Sequence, residues 1–470
     1  MHTFKTSGIT WFLEDEPLER VVQELAYEPA QRRVHLVREY EHGKVFIKFF
    51  REKGLSGQIR NRILPRGKKE YELSKKLRSL SIPTPKPLGY GVAPQGSYLV
   101  QEWIEGVPLL DWVENRNKRE QLLVSLVTLL ARLKSAGFRH NDLHLANMIA
   151  SSDEIYLVDL HKGAFKKNFT VGDDVSNVSH ALAILYESMD EREKEWFFKQ
   201  YGGDALRVPV EKELARLRQR WVERKAERAF RTTSLLERSG NRITVRSVDG
   251  EIHGAYLATI KKDKKVKVER YADHLRKTYV HRRRLHRAWK HHVILEYMRF
   301  FITPRPYYVE GPSTSGPGYI AMEDLTGKGE ELDRFLDRNY DGMEVPARRA
   351  FIGRLSLFFV SVLKKKIFHA DLKACNIFVL QKGSFLFLDV EDLNFSGFDD
   401  AAIKRMLVQL NTTIPQRIPI GDRLRFFTKI TEGLLPRPER KCLLKEIISE
   451  SLQSEIVYEG VSGLKREAWK

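Results

Sequence analysis

Two octapeptides in this sequence follow one pattern, and together they decide its fold. The first is HNDLHLAN at residues 140–147, followed by the apolar run and aspartate IYLVD at residues 155–159. The second is HADLKACN at residues 369–376, followed by FLFLD at residues 385–389. The histidine, aspartate and asparagine of the two copies lie 229 residues apart, and the closing aspartates lie 230 apart. This offset indicates a repeat of one large domain, not an array of short repeats.

The spacing within each copy is typical of a kinase-type phosphotransfer site. In such a site an aspartate orients the attacking hydroxyl, while an asparagine and a later aspartate hold magnesium. A buried structural aspartate explains any one of these residues, but not three of them repeated at this spacing. The pattern predicts two catalytic carboxylates, Asp142 and Asp371, and two pairs of magnesium ligands, Asn147 with Asp159 and Asn376 with Asp389.

The repeat extends beyond these loops. The segment YLVQE at residues 98–102 is matched by YIAME at residues 319–323, at an offset of 221. A proline-containing segment precedes each of them, at residues 82–87 and 302–306. Because a proline disfavours helix in the residue before it, both segments are expected to be extended.

The bulk composition agrees with two globular domains. The chain has 470 residues and 42% hydrophobic residues, which suits two or three domains with their own cores. We expect two tandem domains, 1–230 and 231–470, joined within or just after the charge-rich segment 211–231. Two cysteines are too few for a disulfide framework, and the N-terminal stretch has no secretory pattern, so we expect a cytoplasmic protein.

The net charge of +19 is concentrated in one stretch. Residues 261–290 contain thirteen lysines or arginines against three acidic residues. Such a surface attracts phosphates of nucleic acid, anionic lipid or phosphorylated glycan, or it is a solvated basic surface without a dedicated ligand. Neither zinc-finger spacing nor an RNA-binding aromatic signature accompanies the charge, which makes nucleic acid an unlikely partner.

Lys48 is the candidate phosphate-binding lysine of the first half. It lies within the apolar, β-prone run at residues 45–50, where an unpaired charge is costly. A strand lysine that binds the α- and β-phosphates and pairs with a helix glutamate explains this position. Glu70, on the predicted helix at residues 68–80, is the expected partner, with Glu72 as the fallback. The alternative is a lysine on an edge strand facing solvent.

Three further positions of the first half have expected roles. Gln101 and Glu102 end a predicted strand where a kinase hinge offers backbone groups to adenine. His140 is expected to pack under the catalytic loop as a scaffold residue, whereas His144 is either a loop residue or an active-site contact. No GxGxxG or GxxxxGK[ST] motif occurs in the sequence, which argues against a P-loop enzyme.

The small lobe of the second half departs from this pattern. Superposing residues 266–271 on residues 45–50 places Glu269 at the position of Lys48, and His291 at the position of Glu70. Lys267 points to the same face as Glu269, because strand side chains alternate, and is the candidate substitute lysine. The second half is therefore expected to be either degenerate and regulatory or active through Lys267.

These motifs resemble the bacterial lipopolysaccharide kinases of the Kdo/WaaP type. The resemblance is carried by FIK at residues 46–48, KEY at residues 69–71, IPTP at residues 82–85 and the HxDLHxxN loop. The second half looks like a diverged copy. Similar catalytic loops occur in aminoglycoside phosphotransferases and RIO-type kinases.

The resemblance implies an α+β fold of two tandem bilobal kinase-like domains, each with a small β-rich lobe and a mostly helical lobe. It also implies ATP and Mg²⁺ as cofactors, with the first domain as the main catalyst. The implied acceptor is a sugar hydroxyl of the lipopolysaccharide inner core, Kdo or heptose. The implied partner is thus an anionic glycolipid, with peripheral contact at the inner face of the inner membrane. Two alternatives stay open, a protein or small-molecule kinase and a pseudokinase-type scaffold.

Overall fold

The computed structural model divides the chain into two compact units, Met1–Leu217 and Arg218–Lys470. The boundary falls inside one long helix, Asp204–Arg228. The structure describes the whole chain apart from residues 26–34, 53, 114, 152–153, 249–251, 253, 312–316, 396, 398–399, 433 and 470.

The first unit begins with a six-stranded antiparallel sheet of order β1-β2-β5-β6-β4-β3. Its strands are β1 (His2–Thr6), β2 (Ile9–Leu13), β3 (His35–Tyr40), β4 (Gly43–Arg51), β5 (Pro87–Ala93) and β6 (Gly96–Glu102). The helices of this part are α1 (Leu18–Leu25), α2 (Gly54–Ile63) and α3 (Arg66–Ser79). Val45 and Ile47 of β4 pack with Trp11 in the core. Because strand side chains alternate, Lys48 falls on the opposite face of the sheet.

The remainder of the first unit is mostly helical and carries the catalytic loop. Its elements are β7 (Val107–Pro108), α4 (Arg119–Ser135), β8 (Phe138–His140), β9 (Met148–Ser151), β10 (Glu154–Leu157), β11 (Gly163–Phe165), α5 (Val171–Leu182), α6 (Glu191–Tyr201) and α7 (Asp204–Arg228). Leucines of α4, among them Leu122, Leu126 and Leu133, are fully buried against the loop residues Leu143 and Leu145. This apolar contact fixes the loop on the helical core.

The second unit repeats the sheet with one additional edge strand, in the order β12-β13-β17-β18-β16-β15-β14. Its strands are β12 (Leu236–Ser239), β13 (Arg242–Val245), β14 (Tyr256–Lys262), β15 (Val266–Tyr271), β16 (Leu275–Tyr279), β17 (Pro306–Glu310) and β18 (Gly318–Met322). Helix α8 (Arg282–Met298) follows β16 after a short turn. The fully buried Trp289 anchors α8 in the core of this unit.

The rest of the second unit is again mostly helical. Its elements are β19 (Gly329–Glu331), α9 (Leu332–Asn339), α10 (Val345–Lys364), β20 (Phe368–His369), β21 (Ile377–Leu380), β22 (Phe385–Phe387), β23 (Leu393–Asn394), α11 (Asp400–Asn411), α12 (Ile420–Thr431), α13 (Arg437–Leu452), β24 (Ile456–Gly460) and β25 (Gly463–Glu467). Each unit therefore combines a β-rich part with a larger helical part, as the expected fold class requires.

The strand correspondence expected between the two halves is wrong at one point. In the first sheet β4 lies between β6 and β3, and in the second sheet the strand between β18 and β15 is β16. The counterpart of β4 is thus β16, not residues 266–271, which form β15. The offset changes because α2 separates β4 from α3, whereas α8 begins directly after β16. Lys48 consequently corresponds to Lys277, at the same offset of 229 as the catalytic loops.

Candidate active sites

A cleft of about 900 Å³ in the first unit brings most of the predicted site residues together. A volume of this size suits a small-molecule or cofactor site. The predicted residues in its lining are Lys48, Glu70, Gln101, Glu102, Asn147 and Asp159. Asp142 belongs to the loop at its edge, where its carboxylate contacts the lining residue Lys162.

Lys48 lies between two carboxylates in this cleft. Its Nζ atom is 2.5 Å from Oδ1 of Asp159 and 3.3 Å from Oε2 of Glu70. The Lys48 side chain is 12% exposed and the Glu70 side chain 2% exposed, so both charges depend on each other for compensation. The fallback residue Glu72 points elsewhere and lies 3.8 Å from Lys68.

A close backbone contact sets the position of Glu70. A Cβ atom on Gly67 would lie 2.1 Å from the carbonyl oxygen of Tyr98, so only glycine allows this approach of α3 to β6. The Gly67 amide also donates a hydrogen bond to Oγ of Ser97, at 3.0 Å. Glu70, one turn later on α3, then reaches Lys48.

Asp159 is held by a second residue that the sequence analysis did not identify. Nδ1 of His161 lies 2.6 Å from Oδ1 of Asp159 and 3.6 Å from Oε2 of Glu70. Burial alone would raise the pKa of Asp159, but His161 and Lys48 outweigh it and hold this pKa far below its usual range. Burial would lower the pKa of His161, but its bonds to Asp159 and Glu70 raise it. The cluster therefore carries an ionised Asp159.

The backbone of Asp159 is unusual for a residue with a side chain. Its φ of 61° and ψ of 48° lie in the left-handed region, which costs about 1–3 kcal/mol outside glycine. Aspartate and asparagine tolerate this region better than most residues. The conformation turns the carboxylate toward Lys48 at the end of the strand.

The catalytic loop rests on His140, as expected for a scaffold residue. Nδ1 of His140 accepts a hydrogen bond from the Asp142 amide at 3.1 Å, and Nε2 lies 3.1 Å from the Asp159 carbonyl. Burial lowers the pKa of His140 to about 4, so the ring is neutral and Nε2 donates to the carbonyl. The side chain of Asn177 on α5 forms two hydrogen bonds with the main chain of β8. Its Oδ1 accepts from His140 N, and its Nδ2 donates to Phe138 O.

Asp142 faces an ammonium group and an imidazole. Its carboxylate accepts a hydrogen bond from Nζ of Lys162, and Nε2 of His144 lies 3.9 Å away. Burial would raise the pKa of Asp142, but the hydrogen bond and charge of Lys162, with smaller contributions from nearby groups, lower it overall. Asp142 is thus ionised at neutral pH. His144 lies near the site, whereas the contribution of Lys162 had no signal in the sequence.

The remaining predicted residues of the first unit are Asn147, Gln101 and Glu102. Nδ2 of Asn147 donates to the Asp142 carbonyl at 3.0 Å, which leaves its Oδ1 as an oxygen ligand for a hard cation. The Glu102 carboxylate accepts a hydrogen bond from the backbone amide of Lys86 at 3.2 Å. Gln101 lies opposite Phe46 in the sheet. Oxygen ligands from Asn147 and Asp159 therefore fit Mg²⁺, and the end of β6 is a fixed edge of the cleft.

The second unit reproduces the catalytic loop. Nδ2 of Asn376 donates to the Asp371 carbonyl at 2.8 Å, and the Asp371 amide donates to Nδ1 of His369 at 3.3 Å. The amide after the strand bonds to the asparagine carbonyl in both units, Val158 to Asn147 and Leu388 to Asn376. The two loops therefore share these three hydrogen bonds, whereas the closing aspartates differ in backbone conformation, left-handed at Asp159 and φ −97° at Asp389.

The lysine of the second unit is not the expected one. Lys267 lies on β15, is 41% exposed and pairs with Glu269 at 2.6 Å. The residue that contacts Asp389 is Lys277 on β16, with its Nζ atom 2.7 Å from Oδ1 of Asp389. Assigning Lys267 to the nucleotide site and Glu269 to the position of Lys48 was wrong, because both depended on the incorrect strand correspondence.

Comparison with known proteins finds a similarity to one family over part of the chain. Residues 18–201 match the family described as "Lipopolysaccharide kinase (Kdo/WaaP) family", a range that lies wholly within the first unit. A co-crystal structure of WbdD with the kinase inhibitor LY294002 is similar at 16% identity and a TM-score of 0.27, covering 42% of this chain and 50% of that chain.

Three curated relatives match shorter segments. A probable bifunctional tRNA threonylcarbamoyladenosine biosynthesis protein of Methanosarcina acetivorans is 29% identical over 142 residues, 30% of this chain and 23% of that protein. The EKC/KEOPS complex subunit BUD32 of Encephalitozoon cuniculi is 32% identical over 94 residues, 20% of this chain and 45% of that protein. The chain spans between 21% and 45% of the length of the curated relatives it matches.

Proposed function

Because residues 18–201 match the model of the lipopolysaccharide kinase (Kdo/WaaP) family, we propose that the first unit transfers the γ-phosphoryl group of ATP to a sugar hydroxyl. The acceptor we propose is Kdo or heptose in the lipopolysaccharide inner core. The observation that carries this proposal is the convergence of Lys48, Glu70, Asn147 and Asp159 on one cleft beside Asp142.

Each of these residues has a distinct part in the proposed reaction. Lys48 binds the α- and β-phosphates, and Glu70 holds its ammonium group in place. Asn147 and Asp159 hold Mg²⁺, which neutralises the phosphate charge when bound. The backbone at Gln101 and Glu102 receives the adenine base. The first unit is proposed as the main catalyst because the family match covers this unit alone.

Asp142 acts mainly by orienting the acceptor in this account. Its pKa is lowered, so it is ionised but is a weak base at neutral pH. Phosphoryl transfer passes through a loose transition state, in which the hydroxyl proton need not leave early. The acceptor oxygen forms a bond to the γ-phosphorus as the bond to the ADP oxygen breaks. Asp142 accepts the hydroxyl proton as the new bond completes.

The exposed Lys162 beside Asp142 supports an anionic acceptor. Its ammonium group lies where the acceptor must approach, and the 38% exposed His144 adds a polar ring there. A carboxylated or phosphorylated sugar is attracted there more than a neutral alcohol. Family kinship and this charge together favour an inner-core sugar.

Two exposed surfaces support peripheral contact with an anionic membrane. Helix α2 presents an apolar stripe of Leu55, Ile59 and Ile63, which are 80%, 58% and 78% exposed, with Arg60 and Arg62 alongside. Strand β14 is exposed along its whole length and ends in Lys261 and Lys262. An exposed apolar stripe with basic neighbours suits the interface of an anionic bilayer. Among the described residues, no helix combines the length and apolar character needed to cross a membrane.

A second candidate is a kinase of another acceptor class, protein or small molecule. The observation behind it is the similarity to the Methanosarcina and Encephalitozoon proteins, whose names refer to tRNA threonylcarbamoyladenosine biosynthesis and the EKC/KEOPS complex and not to lipopolysaccharide. Under this alternative the same residues bind ATP and magnesium, and only the acceptor differs.

Competing acceptors separate these candidates. The purified chain is incubated with γ-labelled ATP and Mg²⁺ together with extracted lipopolysaccharide, a protein mixture or an aminoglycoside. We expect label in the lipopolysaccharide, its loss in Asp142→Asn, and its retention in Glu195→Gln, an exposed carboxylate on α6. Label only in protein or aminoglycoside would refute the sugar acceptor and favour the second candidate.

A further inference from the structure

The buried lysine of each unit contacts an aspartate and a glutamate, but the glutamate comes from a different element in each unit. In the first unit Lys48 contacts Asp159 and the helix residue Glu70, and His161 lies two residues after Asp159. In the second unit Lys277 contacts Asp389 at 2.7 Å and Glu391, two residues after it, at 3.1 Å.

The second unit has no glutamate at the helix position of Glu70. Helix α3 packs on the turn after Asp159, and helix α8 packs on the turn after Asp389. The amide after each helix bonds to Leu77 O in the first unit and to Leu295 O in the second, which aligns the helices at an offset of 218. The counterpart of Glu70 is therefore the fully buried Ala288, and the expected correspondence with His291 is wrong. The acid that accompanies the lysine comes from the helix in the first unit and from the loop in the second.

An aromatic residue lies at the same strand position near the buried lysine in both units. Phe50 packs against His161 with ring centroids 5.3 Å apart, and at the offset of 229 its counterpart is Tyr279. The Tyr279 hydroxyl lies 3.4 Å from Glu391, and Arg284 contacts the same carboxylate at 3.1 Å. In the second unit the Tyr279 hydroxyl and the Arg284 guanidinium thus contact the Glu391 carboxylate. At the corresponding place in the first unit the Phe50 ring packs against His161. Compensated changes at neighbouring positions maintain the lysine.

A purely structural role does not account for this set of residues. A buried ion pair contributes little net stability compared with well-packed apolar residues. The aspartate beside the lysine is accessible to solvent to a similar degree in both units. The Asp389 side chain is 28% exposed, and the Asp159 side chain is 31% exposed. Asn376 and Asn147 are buried to the same degree, at 8% and 7% exposed.

We propose that the second unit is a second nucleotide site, in which Lys277 binds the phosphates of a nucleoside triphosphate and Glu391 orients it. Asn376 and Asp389 supply the oxygen ligands for the accompanying Mg²⁺. The ligand class rests on the proposed function of the first unit, whereas the site itself rests on the contacts of Lys277. Lys267, on the neighbouring strand, has no part in it.

The test counts nucleotide sites in the full chain by calorimetric titration with a non-hydrolysable ATP analogue and Mg²⁺. The wild type is expected to bind two equivalents, and Lys48→Met with Asp159→Asn is expected to keep one. In that background Lys277→Met should weaken the remaining site by roughly ten- to a hundredfold, the effect of a lost charge-assisted contact. Lys267→Met is the matched control and should leave it unchanged.

A milder substitution tests the role of Glu391 and guards against misfolding of Lys277→Met. In the same background Glu391→Gln should weaken nucleotide binding, because the neutral amide no longer holds the Lys277 ammonium group by charge. Unchanged binding in Glu391→Gln would overturn the assigned role of Glu391. One equivalent in the wild type, lost in Lys48→Met, would refute the second site and leave the proposed function intact. No binding at all would refute both.

Discussion

The Nζ atom of Lys277 lies 2.7 Å from Oδ1 of Asp389, and that of Lys48 lies 2.5 Å from Oδ1 of Asp159. A strand lysine therefore contacts the aspartate after the catalytic loop in both units. The sequence-based case for a degenerate second half depended on Glu269 near the nucleotide, and Glu269 instead pairs with Lys267 on β15. The proposed dominance of the first unit thus rests on the family match and not on a missing lysine.

Asp142→Asn is expected to reduce turnover by roughly 10²- to 10⁴-fold, because the variant neither orients the acceptor hydroxyl by charge nor accepts its proton at the end of the transfer. Nucleotide affinity should change little, because Lys48 and the metal ligands hold ATP. Single-turnover phosphate transfer and nucleotide titration of the same preparation measure the two quantities. Unchanged turnover would contradict the role of Asp142.

Asp371→Asn should reduce total transfer far less than Asp142→Asn if the first unit is the main catalyst. The same transfer assay compares the two variants side by side. An equal or greater loss from Asp371→Asn would move the main activity to the second unit.

Asp159→Asn and Asp159→Ala should both abolish magnesium-dependent nucleotide binding in the first unit, because each removes the anionic ligand. They should differ in stability, since asparagine tolerates the left-handed conformation and alanine does not. We expect a lower melting temperature for Asp159→Ala than for Asp159→Asn. Thermal melts with and without nucleotide and Mg²⁺, in an Asp389→Asn background, measure both effects. An undiminished nucleotide shift in either variant would contradict the metal role.

Gly67→Ala should raise the KM for ATP, because a Cβ atom at 2.1 Å from the Tyr98 carbonyl forces α3 away from β6. Glu70 then loses its position beside Lys48. Gly172→Ala is the control, since its Cβ would meet its nearest neighbour at an ordinary 3.6 Å. Similar kinetics for both variants would show that α3 does not position Glu70 through this contact.

The free energy of unfolding of the second unit should fall as the pH falls from about 6.5 towards 3. Burial lowers the pKa of His292 to about 3 from 6.5, so the unfolded chain binds a proton at a pH where the folded chain does not. At about pH 5 this one histidine lowers the free energy of unfolding by about 2 kcal/mol relative to neutral pH. Chemical unfolding at several pH values should show a shallower dependence for His292→Leu. His42→Gln, at a side chain 57% exposed, should leave the dependence unchanged.

Replacing Leu55, Ile59 and Ile63 together by serine should reduce co-flotation with anionic vesicles. The three side chains form one exposed stripe on α2, and their apolar area is what a bilayer interface would bury. The control variant replaces Val124 and Val208 by serine. These side chains lie in the same unit and are 45% and 69% exposed. Equal flotation of both variants would argue against α2 as a membrane contact.

The sequence predicted the residues that stand in a clear local pattern. Lys48 stands in a continuous apolar run typical of a strand, and Glu70 stands on a helix with clear spacing. Lys277 was missed because β16 reads LRKTY, which has no such run, whereas the neighbouring β15 reads VKVERY and has the alternation of a strand.

Tertiary contacts explain the other omissions. His161, Lys162 and Glu391 follow an aspartate in short 3₁₀ turns, where spacing says nothing about side-chain direction. Asn177 lies within α5, and its bonds to Phe138 and His140 depend on how that helix packs against β8. Such contacts join residues that are distant in sequence, and the pattern of a single sequence does not predict them.

Mass analysis of the acceptor tests the central claim most directly. The full chain is incubated with ATP, Mg²⁺ and lipopolysaccharide core oligosaccharide, and the sugar product is fragmented to locate added phosphate. The account predicts one additional HPO₃ group on a Kdo or heptose hydroxyl, formed by the wild type and by Glu195→Gln but not by Asp142→Asn. Unmodified oligosaccharide, or the same product from Asp142→Asn, would contradict it.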